Sequence, residues 1–362
     1  MDAVDAVLLP TTMVGSWPRP LWLRGAVLRE SPYETDHVDA HQRTLFEDAV
    51  RLAVKDQDLA GLDVVTDGNQ YFQGETPYDK VQMHLFPLRL HGFRGYGPPG
   101  LVAGMEGYFR PVVHDRVRWV RPVFGPVLDA MRLATDKPFT ININAGPASV
   151  AGWSHDEYYG DPDALRRDVA DAFNRELRWL ADHGAPAIQL TEQGYLASAG
   201  RDEWVLEMME RAAHGVSARL IWHMCYGNAR EHDCAWPEIN AAPLAKLFAS
   251  GRELGWREIH LETARPGMAE MDLLAGWAER DGTRLGIGVV EVMNPRVERP
   301  EDVAARIRTA CEHVPAERLV ISTDCGLYQL PRDLAFRKLK ALVAGTRLVR
   351  TELGRNPDGR CR

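Results

Sequence analysis

Three things are scarce in this chain of 362 residues: cysteine, long apolar runs and an excess of positive charge. Five cysteines are an odd and sparse set, which argues against a disulfide scaffold and leaves metal binding or catalysis open. No uninterrupted apolar run reaches the ~18 residues of a membrane span, and the amino-terminal MDAVDAVLLP lacks the basic and then apolar pattern of a secretory signal. We therefore expect a cytoplasmic protein that has no membrane partner.

The charge balance narrows the class of partner. Lysine and arginine total 43 against 51 acidic residues, a formal net charge of −8, which disfavours nucleic acid and anionic surfaces. Neither a GxGxxG fingerprint nor a phosphate-binding loop follows a predicted strand, so a nucleotide ligand has little support. With 45% hydrophobic and 26% charged residues, the composition is that of a globular protein, and we expect small-molecule ligands.

Short apolar runs alternate with segments of helical periodicity along the whole chain. The predicted strands lie at residues 11–16, 63–66, 136–147, 186–190, 218–222, 257–261, 284–292 and 318–322. The predicted helices lie at about 37–59, 161–184, 203–213, 242–254, 271–278, 303–311 and 332–349. Strict alternation specifies an α/β fold with a parallel sheet. Eight strands, seven of them followed by a predicted helix, match a single (β/α)8 TIM barrel over residues 1–362 better than an open doubly wound sheet.

The second predicted strand is followed by a long stretch, about residues 68–137, that has no clean periodicity. It is dense in Gly, Pro, Arg and aromatic residues, as in HGFRGYGPPG and GMEGYFRP. Insertions of this length in compact domains are often lids or binding loops. The alternation in RPVVHDRVRWVRPV is equally consistent with an exposed hairpin. The sequence therefore predicts an insertion that is either a lid or a hairpin excursion.

Polar residues recur where the predicted strands end. They are Ser16, Asn69, Asn144, Thr191, Glu192, His223, Cys225, Glu262, Glu291 and Cys325. The carboxyl ends of the strands of a barrel share one face, so these side chains are expected to converge on a single pocket. Asn144 and Glu192 are candidate substrate contacts in that pocket.

The stretch LIWHMCYGN, residues 220–228, carries the most specific chemistry. His223 and Cys225 are two residues apart at the tip of a strand, so their side chains point the same way and can close on one zinc ion. By itself the pair is a weak signal, since a buried core histidine beside an inert cysteine has the same spacing. Glu262 and Cys325, from two other strand ends, complete a set of one imidazole, two thiolates and one carboxylate that zinc accepts.

Two other interpretations of these residues stay open. His232 and Cys234 repeat the spacing nine residues later, so four ligands could close within one loop. That segment has none of the CxxC pairs that are typical of structural zinc sites. Glu262 could instead be a strand-end carboxylate paired with Arg265. The convergent set from three strand ends is the stronger prediction.

A series of short motifs resembles those of a known family. In chain order, GSWP, DGN, NAGP with a nearby GWS, IQLTE, HMC, LETAR and DCGL resemble the carboxyl-terminal catalytic barrel of cobalamin-independent methionine synthase. The resemblance covers essentially the whole chain. The HMC and DCGL motifs are specific to the zinc enzymes of that superfamily, which also contains epoxyalkane:coenzyme M transferase. The second, amino-terminal barrel of the family is missing, so the chain looks like a stand-alone core form.

The resemblance implies roles for individual residues. His223, Cys225, Glu262 and Cys325 take the positions of the zinc ligands, Trp153 that of the aromatic residue stacked on a methylated tetrahydrofolate, and Ser16 that of the turn receiving the carboxylate of an amino-acid thiol. No cobalamin is implied. Zinc lowers the pKa of a bound thiol from about 8.5, so that the thiol is a thiolate at neutral pH and can attack the carbon of the alkyl donor.

Three positions depart from the family pattern. The two carboxylates that hold the substrate's α-ammonium group are replaced here by Asn69 and Thr191, which leaves open whether the acceptor thiol is homocysteine. The proton-shuttling histidine is also absent, and its neighbourhood contains Glu291, Met293 and Asn294. Glu291 is therefore the predicted proton donor, with a strand-end salt bridge as the alternative.

These observations predict a zinc-dependent transferase that activates a thiol for S-alkylation, with methyl transfer as the leading case. Its partners would be a small-molecule thiol and an alkyl or methyl donor. One alternative is thiol addition like that of epoxyalkane:coenzyme M transferase, and another is the reverse cleavage of a carbon–sulfur bond by a lyase. A non-catalytic zinc- or thiol-binding protein is an alternative of another class. The oligomeric state is open, a homo-oligomer included.

Overall fold

The structure, a computed structural model, describes residues 4, 6–23, 40–70, 86–102, 105–198, 200–226, 243–244, 246–247, 254–269, 271–273 and 283–359. Its helices are α1 (Ala40–Ala60), α2 (Gly125–Ala134), α3 (Pro147–Trp153), α4 (Pro162–Asp182), α5 (Gly194–Ala197), α6 (Glu203–Ala213), α7 (Pro300–His313) and α8 (Arg332–Glu352). Its strands are β1 (Val65–Thr66), β2 (His91–Val102), β3 (Met105–Arg118), β4 (Phe139–Ile143), β5 (His155–Asp156), β6 (Ala187–Thr191), β7 (Arg219–His223), β8 (Glu258–Leu261), β9 (Arg284–Val290) and β10 (Leu319–Thr323).

A parallel sheet of seven strands forms the centre of the fold, in the order β1-β4-β6-β7-β8-β9-β10. The strands are short and buried on both faces, as in β6, in which all five residues are buried. This pattern is typical of parallel sheets that helices cover on the outside. The sheet curls, and the predicted α/β class is confirmed.

A single bridge stands where the first strand was predicted, at residues 11–16. Thr11 pairs in parallel with Ile321 of β10. The carbonyl of Thr11 also accepts hydrogen bonds from the N–H groups of Asp63 and Val64, at 3.1 and 3.0 Å, just before β1. The predicted strand was therefore too long, because the segment pairs at one residue instead of along its length.

Helix α4 begins and ends where the sequence predicts. The side chain of Asp161 accepts hydrogen bonds from the N–H groups of Asp163 and Ala164, and Pro162 occupies the first turn. Gly184, which follows the helix, has a φ of +83°, a conformation that glycine adopts without steric cost. One face of the helix is buried against the sheet through Leu165, Val169, Phe173, Leu177 and Leu180.

A second, smaller sheet has two strands within the predicted insertion and a third, β5, that follows it in the chain. Strand β2 pairs antiparallel with β3, and β5 adds to β3 in parallel. The alternation at residues 110–123 predicted one strand of this hairpin but placed it too late. Its partner β2 includes the segment HGFRGYGPPG, which had suggested a loop. Repeated shifts of register along the pair accommodate the glycines and prolines, so the composition hid a strand that cross-strand pairing stabilises. A lid role for residues 68–137 stays a prediction.

Helix α2 was not predicted from the sequence. It begins with Pro126 in its first turn, and the N–H groups of Val123 and Phe124 just before it donate to the buried carboxylate of Glu176 in α4. This contact joins residues more than 50 positions apart, which no local pattern reveals. Burial raises the pKa of Glu176, and the hydrogen bonds oppose that rise.

Two predicted helices, at 242–254 and 271–278, fall largely outside the described residues. Within the described ranges, no helix is both long and apolar enough to cross a membrane.

Candidate metal centre

The four predicted metal ligands come together at the carboxyl ends of three strands. His223 ends β7 and Cys225 follows it, Glu262 follows β8, and Cys325 follows β10. One ligand atom from each of these residues lies within 4.8 Å of the corresponding atoms of the other three. Three of the side chains are buried and Cys325 is partly buried. Strand-end convergence, which the sequence only suggested, is therefore present in the structure.

The chemistry of the cluster favours a cation. The Sγ atoms of Cys225 and Cys325 are 3.7 Å apart, and the N–H of Tyr226 donates to Glu262 Oε1 at 2.7 Å. The hydrogen bond with Cys225, burial and the nearby Glu262 carboxylate raise the pKa of the Cys325 thiol well above its usual value. Two thiols and a carboxylate packed this closely disfavour ionisation of one another, and a bound divalent cation would offset that repulsion.

His223 gives an independent test of whether a metal fits. Its side chain is fully buried, and neither ring nitrogen has a hydrogen-bond partner among the described residues. A buried imidazole that lacks partners costs about 1–3 kcal/mol for each unsatisfied polar group. A metal ion within the cluster would satisfy one ring nitrogen. One imidazole, two thiolates and one carboxylate are the nitrogen, sulfur and oxygen donors that zinc accepts, so the residues fit zinc.

The turns at Ser16 and Asn69 pack against the turn that carries Cys325. The side-chain amide of Asn69 donates to Ser16 Oγ at 2.8 Å, and the N–H of Leu327 donates to the carbonyl of Ser16 at 2.8 Å. Asn69 has a φ of +52°, a left-handed conformation that asparagine tolerates better than most residues. Two predicted substrate residues therefore lie in contact with each other and beside the metal-ligand turn.

Asp67 holds the turn of Asn69, and sequence analysis missed its role. Its carboxylate accepts hydrogen bonds from the N–H of Asn69 at 2.8 Å and from the side-chain amide of Asn142 at 3.0 Å. Burial raises the pKa of Asp67 to about 6. The signal that could have found it is an acidic residue directly after a buried strand, where an unpaired charge would be costly.

Glu192 has a fully buried carboxylate that is already bonded to the protein. Its oxygens accept hydrogen bonds from the N–H and hydroxyl of Ser149, in the first turn of α3, and from the N–H of Gly194 at 2.8 Å. Burial raises its pKa, and the hydrogen bonds oppose the rise. The carboxylate thus joins β6 to α3. Its predicted contact with substrate stays a prediction.

Three of the remaining predicted residues lie at or just after the carboxyl ends of strands, and Trp153 lies at the end of a helix. Thr191 is buried and pairs in register with His223 in the neighbouring strand. Asn144 follows β4, Trp153 ends α3 and Glu291 follows β9, and each of the three is partly buried. Their roles in binding or proton transfer stay predictions.

The competing local site stays untested. His232 and Cys234 both lie outside the described residues.

The fold and the cluster together define a class: an α/β protein with a candidate metal site at the carboxyl ends of its parallel strands. Comparison with known proteins specifies the class further. Residues 9–347 match the family described as "Cobalamin-independent synthase, Catalytic domain". The chain belongs to this family, which confirms the resemblance seen in its motifs.

Similar proteins agree with this assignment. The chain is 32% identical over 349 residues to a methionine synthase of Sulfurisphaera tokodaii, covering 96% of this chain and 94% of the relative. It is 33% identical over 351 residues to the methionine synthase of Saccharolobus solfataricus, covering 96% and 97%. The structure of a B12-independent methionine synthase from Shewanella sp. W3-18-1, in complex with selenomethionine, matches with a TM-score of 0.80 at 27% identity, covering 96% of this chain and 99% of that one.

Membership of the family establishes the type of fold and the general class of the protein. The fold is TIM-barrel-like, and the family is one of methyltransferases that work without cobalamin. The comparisons lend no support to carbon–sulfur bond cleavage as the activity.

Proposed function

We propose that this protein is a zinc-dependent methyltransferase that transfers a methyl group to the thiol of homocysteine and so forms methionine. The observation that carries the proposal is a cluster at the carboxyl ends of three strands, formed by His223, Cys225, Glu262 and Cys325. Their ligand atoms lie within 4.8 Å of one another. The proposal is also supported by similar proteins, which are named methionine synthases and align with almost the whole length of this chain.

The four clustered residues would hold the zinc. When bound, zinc would lower the pKa of the substrate thiol and keep the sulfur nucleophilic at neutral pH. Cys225 and Cys325 would hold the zinc as thiolates, and together with the Glu262 carboxylate they would outweigh its two positive charges. The resulting net negative charge would keep the substrate sulfur nucleophilic. Glu262 is a harder donor than the two cysteines and would be the most exchangeable of the four residues that hold the zinc.

The amino-acid part of the substrate would lie against Ser16, Asn69 and Thr191. The amide nitrogen of Asn69 is committed to Ser16, which directs the amide oxygen of Asn69 toward other donors such as an ammonium group. Neutral oxygens from Asn69 and Thr191 would then replace the family's two carboxylates. The Shewanella relative was solved with selenomethionine, an analogue of methionine, and this favours an amino-acid ligand in the corresponding pocket here.

The methyl donor is proposed to be a methylated tetrahydrofolate. Trp153, partly buried at the end of α3, would stack on its pterin ring. Asn144 and Glu192 line the same end of the sheet, and Glu291 would supply the proton that the departing donor requires. A folate ring needs an aromatic platform, and a partly exposed tryptophan offers one.

We also propose that the parallel sheet closes into an eight-stranded barrel, with the segment around Thr11 as the first strand. The support is that Thr11 pairs with β10 and hydrogen-bonds to the residues that lead into β1. A closed barrel brings all the strand ends to one face, as a single active site requires.

Growth of a methionine auxotroph tests the proposed function. We expect the gene to restore growth of a host that lacks its own methionine synthases but makes a methylated tetrahydrofolate, when homocysteine is supplied. The activated thiol can then accept the methyl group of the proposed donor. Purified zinc-loaded protein should form methionine from homocysteine and a methylated tetrahydrofolate. It should not alkylate 2-mercaptoethanesulfonate, the thiol of the coenzyme M enzymes. Folded, zinc-loaded protein that neither restores growth nor forms methionine would contradict the proposal.

Zinc binding is expected to release protons and to strengthen as pH rises. The raised pKa of Cys325 means that its thiol is protonated at neutral pH in the metal-free protein and must lose its proton to bind zinc. Below that pKa, apparent affinity should rise by about tenfold per pH unit for each proton released. Calorimetry at pH 7.5 in buffers of different ionisation enthalpy measures the release. A binding enthalpy that does not depend on the buffer would exclude thiolate ligation.

A further inference from the structure

Asp324 ties strand ends together directly beside two of the proposed ligands. It precedes Cys325 and is 1% exposed. Its Oδ1 accepts hydrogen bonds from the N–H groups of Thr263 at 3.0 Å and Ala264 at 2.9 Å, and its Oδ2 accepts one from the N–H of Arg265 at 2.9 Å. The turn at 263–265 follows Glu262 directly. The carboxylate of Asp324, at the end of β10, therefore holds the turn next to a proposed metal ligand at the end of β8.

The third strand, β9, completes this junction. The N–H of Asp324 donates to the carbonyl of Val290 at 3.0 Å, and Thr263 Oγ1 donates to the carbonyl of Gly288 at 2.7 Å. A Cβ on Gly288 would lie 2.1 Å from Asp324 Oδ1, so only glycine leaves room for the carboxylate. Strands β8 and β10, which precede Glu262 and Cys325, are therefore joined across β9, where Gly288 leaves room for the carboxylate of Asp324.

We propose that Asp324 is the positioning residue of the metal site, which sets where Glu262 stands relative to Cys325. This inference rests on the proposed function, because it assumes that these two residues bind zinc. Asp324 does not reach the metal itself, since both its oxygens are occupied by backbone N–H groups. Hydrogen bonds that orient a ligand's neighbours tune metal affinity without touching the metal.

Asp67 provides a matched control. It is also a buried aspartate at a strand end, 2% exposed, and it accepts backbone hydrogen bonds from Asn69 and Asn142. None of the four proposed metal ligands is close to Asp67 in the sequence. A general loss of stability from removing a buried carboxylate should affect Asp67→Asn and Asp324→Asn alike, whereas a positioning effect should affect only Asp324→Asn.

The test is zinc affinity by chelator competition, with the absorption spectrum of the cobalt-substituted protein as a second readout. In Asp324→Asn the side-chain oxygen can still accept from Thr263 and Ala264, but the new amide N–H groups face the N–H of Arg265. We expect zinc to bind roughly 10–100-fold more weakly. The cobalt bands should also shift as Glu262 moves. Asp67→Asn should retain the parent spectrum and bind zinc within about twofold of the parent, because Asp67 bonds to Asn69 and Asn142 and to neither of the turns that carry Glu262 and Cys325.

The inference would be overturned if Asp324→Asn kept the zinc affinity and the cobalt spectrum of the parent protein. It would also be overturned if Asp324→Asn and Asp67→Asn lost equal amounts of zinc affinity. If Asp324→Asn does not fold, Thr263→Val removes only the hydroxyl bond that ties the same turn to Gly288. Weaker zinc binding by that variant supports the inference, and parent binding overturns it. Failure of the proposed function has a different signature, since the unsubstituted protein would then bind no stoichiometric zinc or would form no methionine.

Discussion

Replacing Cys325 with serine is expected to remove zinc from the purified protein and to abolish methyl transfer. A serine hydroxyl is a poor zinc ligand at neutral pH because it stays protonated, and the site would lose half of its thiolate charge. Loss of residues that only orient ligands weakens metal sites by about 10–100-fold, so loss of a ligand should cost at least about 100-fold in zinc affinity. Metal analysis and a methionine-forming assay measure the two effects.

Cys311→Ser is the control for this experiment. Cys311 lies in α7, is partly buried and stands outside the four-residue cluster. The same chemical change there should leave zinc content and turnover unchanged. The zinc hypothesis is wrong if Cys325→Ser keeps stoichiometric zinc, or if the unsubstituted protein holds none and Cys325→Ser keeps its activity.

Glu192→Ala is expected to lower the free energy of unfolding by about 3–5 kcal/mol. The substitution removes the acceptor for the N–H and hydroxyl of Ser149 and for the N–H of Gly194, all of which stay buried, and it opens a cavity beside α3. Chemical denaturation of the zinc-loaded protein measures the change. Zinc affinity of the folded variant should be close to that of the parent, because the carboxylate is directed away from the cluster toward α3.

Glu352→Ala is the matched surface control. Glu352 forms an exposed ion pair with Arg308, and exposed pairs contribute about 0–1 kcal/mol. A loss of stability in Glu192→Ala no larger than in Glu352→Ala would show that the buried network around Ser149 contributes little. The predicted substrate role of Glu192 would then be the better account of its position, and Glu192→Gln should raise the KM for homocysteine.

Much of the candidate metal centre could be predicted from the sequence. His223 and Cys225 sit at the end of an apolar run, and their spacing places both side chains on one side of an extended segment. Alternation of strands and helices implied parallel strands whose carboxyl ends meet, which brings Glu262 and Cys325 to the same place. These inferences needed only local periodicity and one rule of topology.

Other features could not be predicted, because they depend on contacts between distant parts of the chain. Glu176 holds the start of α2 from another helix, and β2 forms from a segment rich in glycine and proline because β3 supplies its hydrogen-bond partners. Asp67 and Glu192 looked in the sequence like ordinary polar residues at strand ends. Only the structure shows that both carboxylates are occupied by backbone donors.

The sequence by itself determined the class of fold and the family and indicated the candidate metal ligands, because spacing along a strand and short motifs carry this information. The tertiary structure decided which carboxylates are placed to bind a metal ion and which accept backbone hydrogen bonds that hold turns in place. Glu262 and Asp324 are both acidic residues at strand ends, yet the first joins the candidate metal cluster. The second accepts hydrogen bonds from the N–H groups of the three residues that follow Glu262. Both carboxylates are buried, so the difference lies in the donors within reach: a carboxylate removed from water must find its partners wherever the folded chain places them.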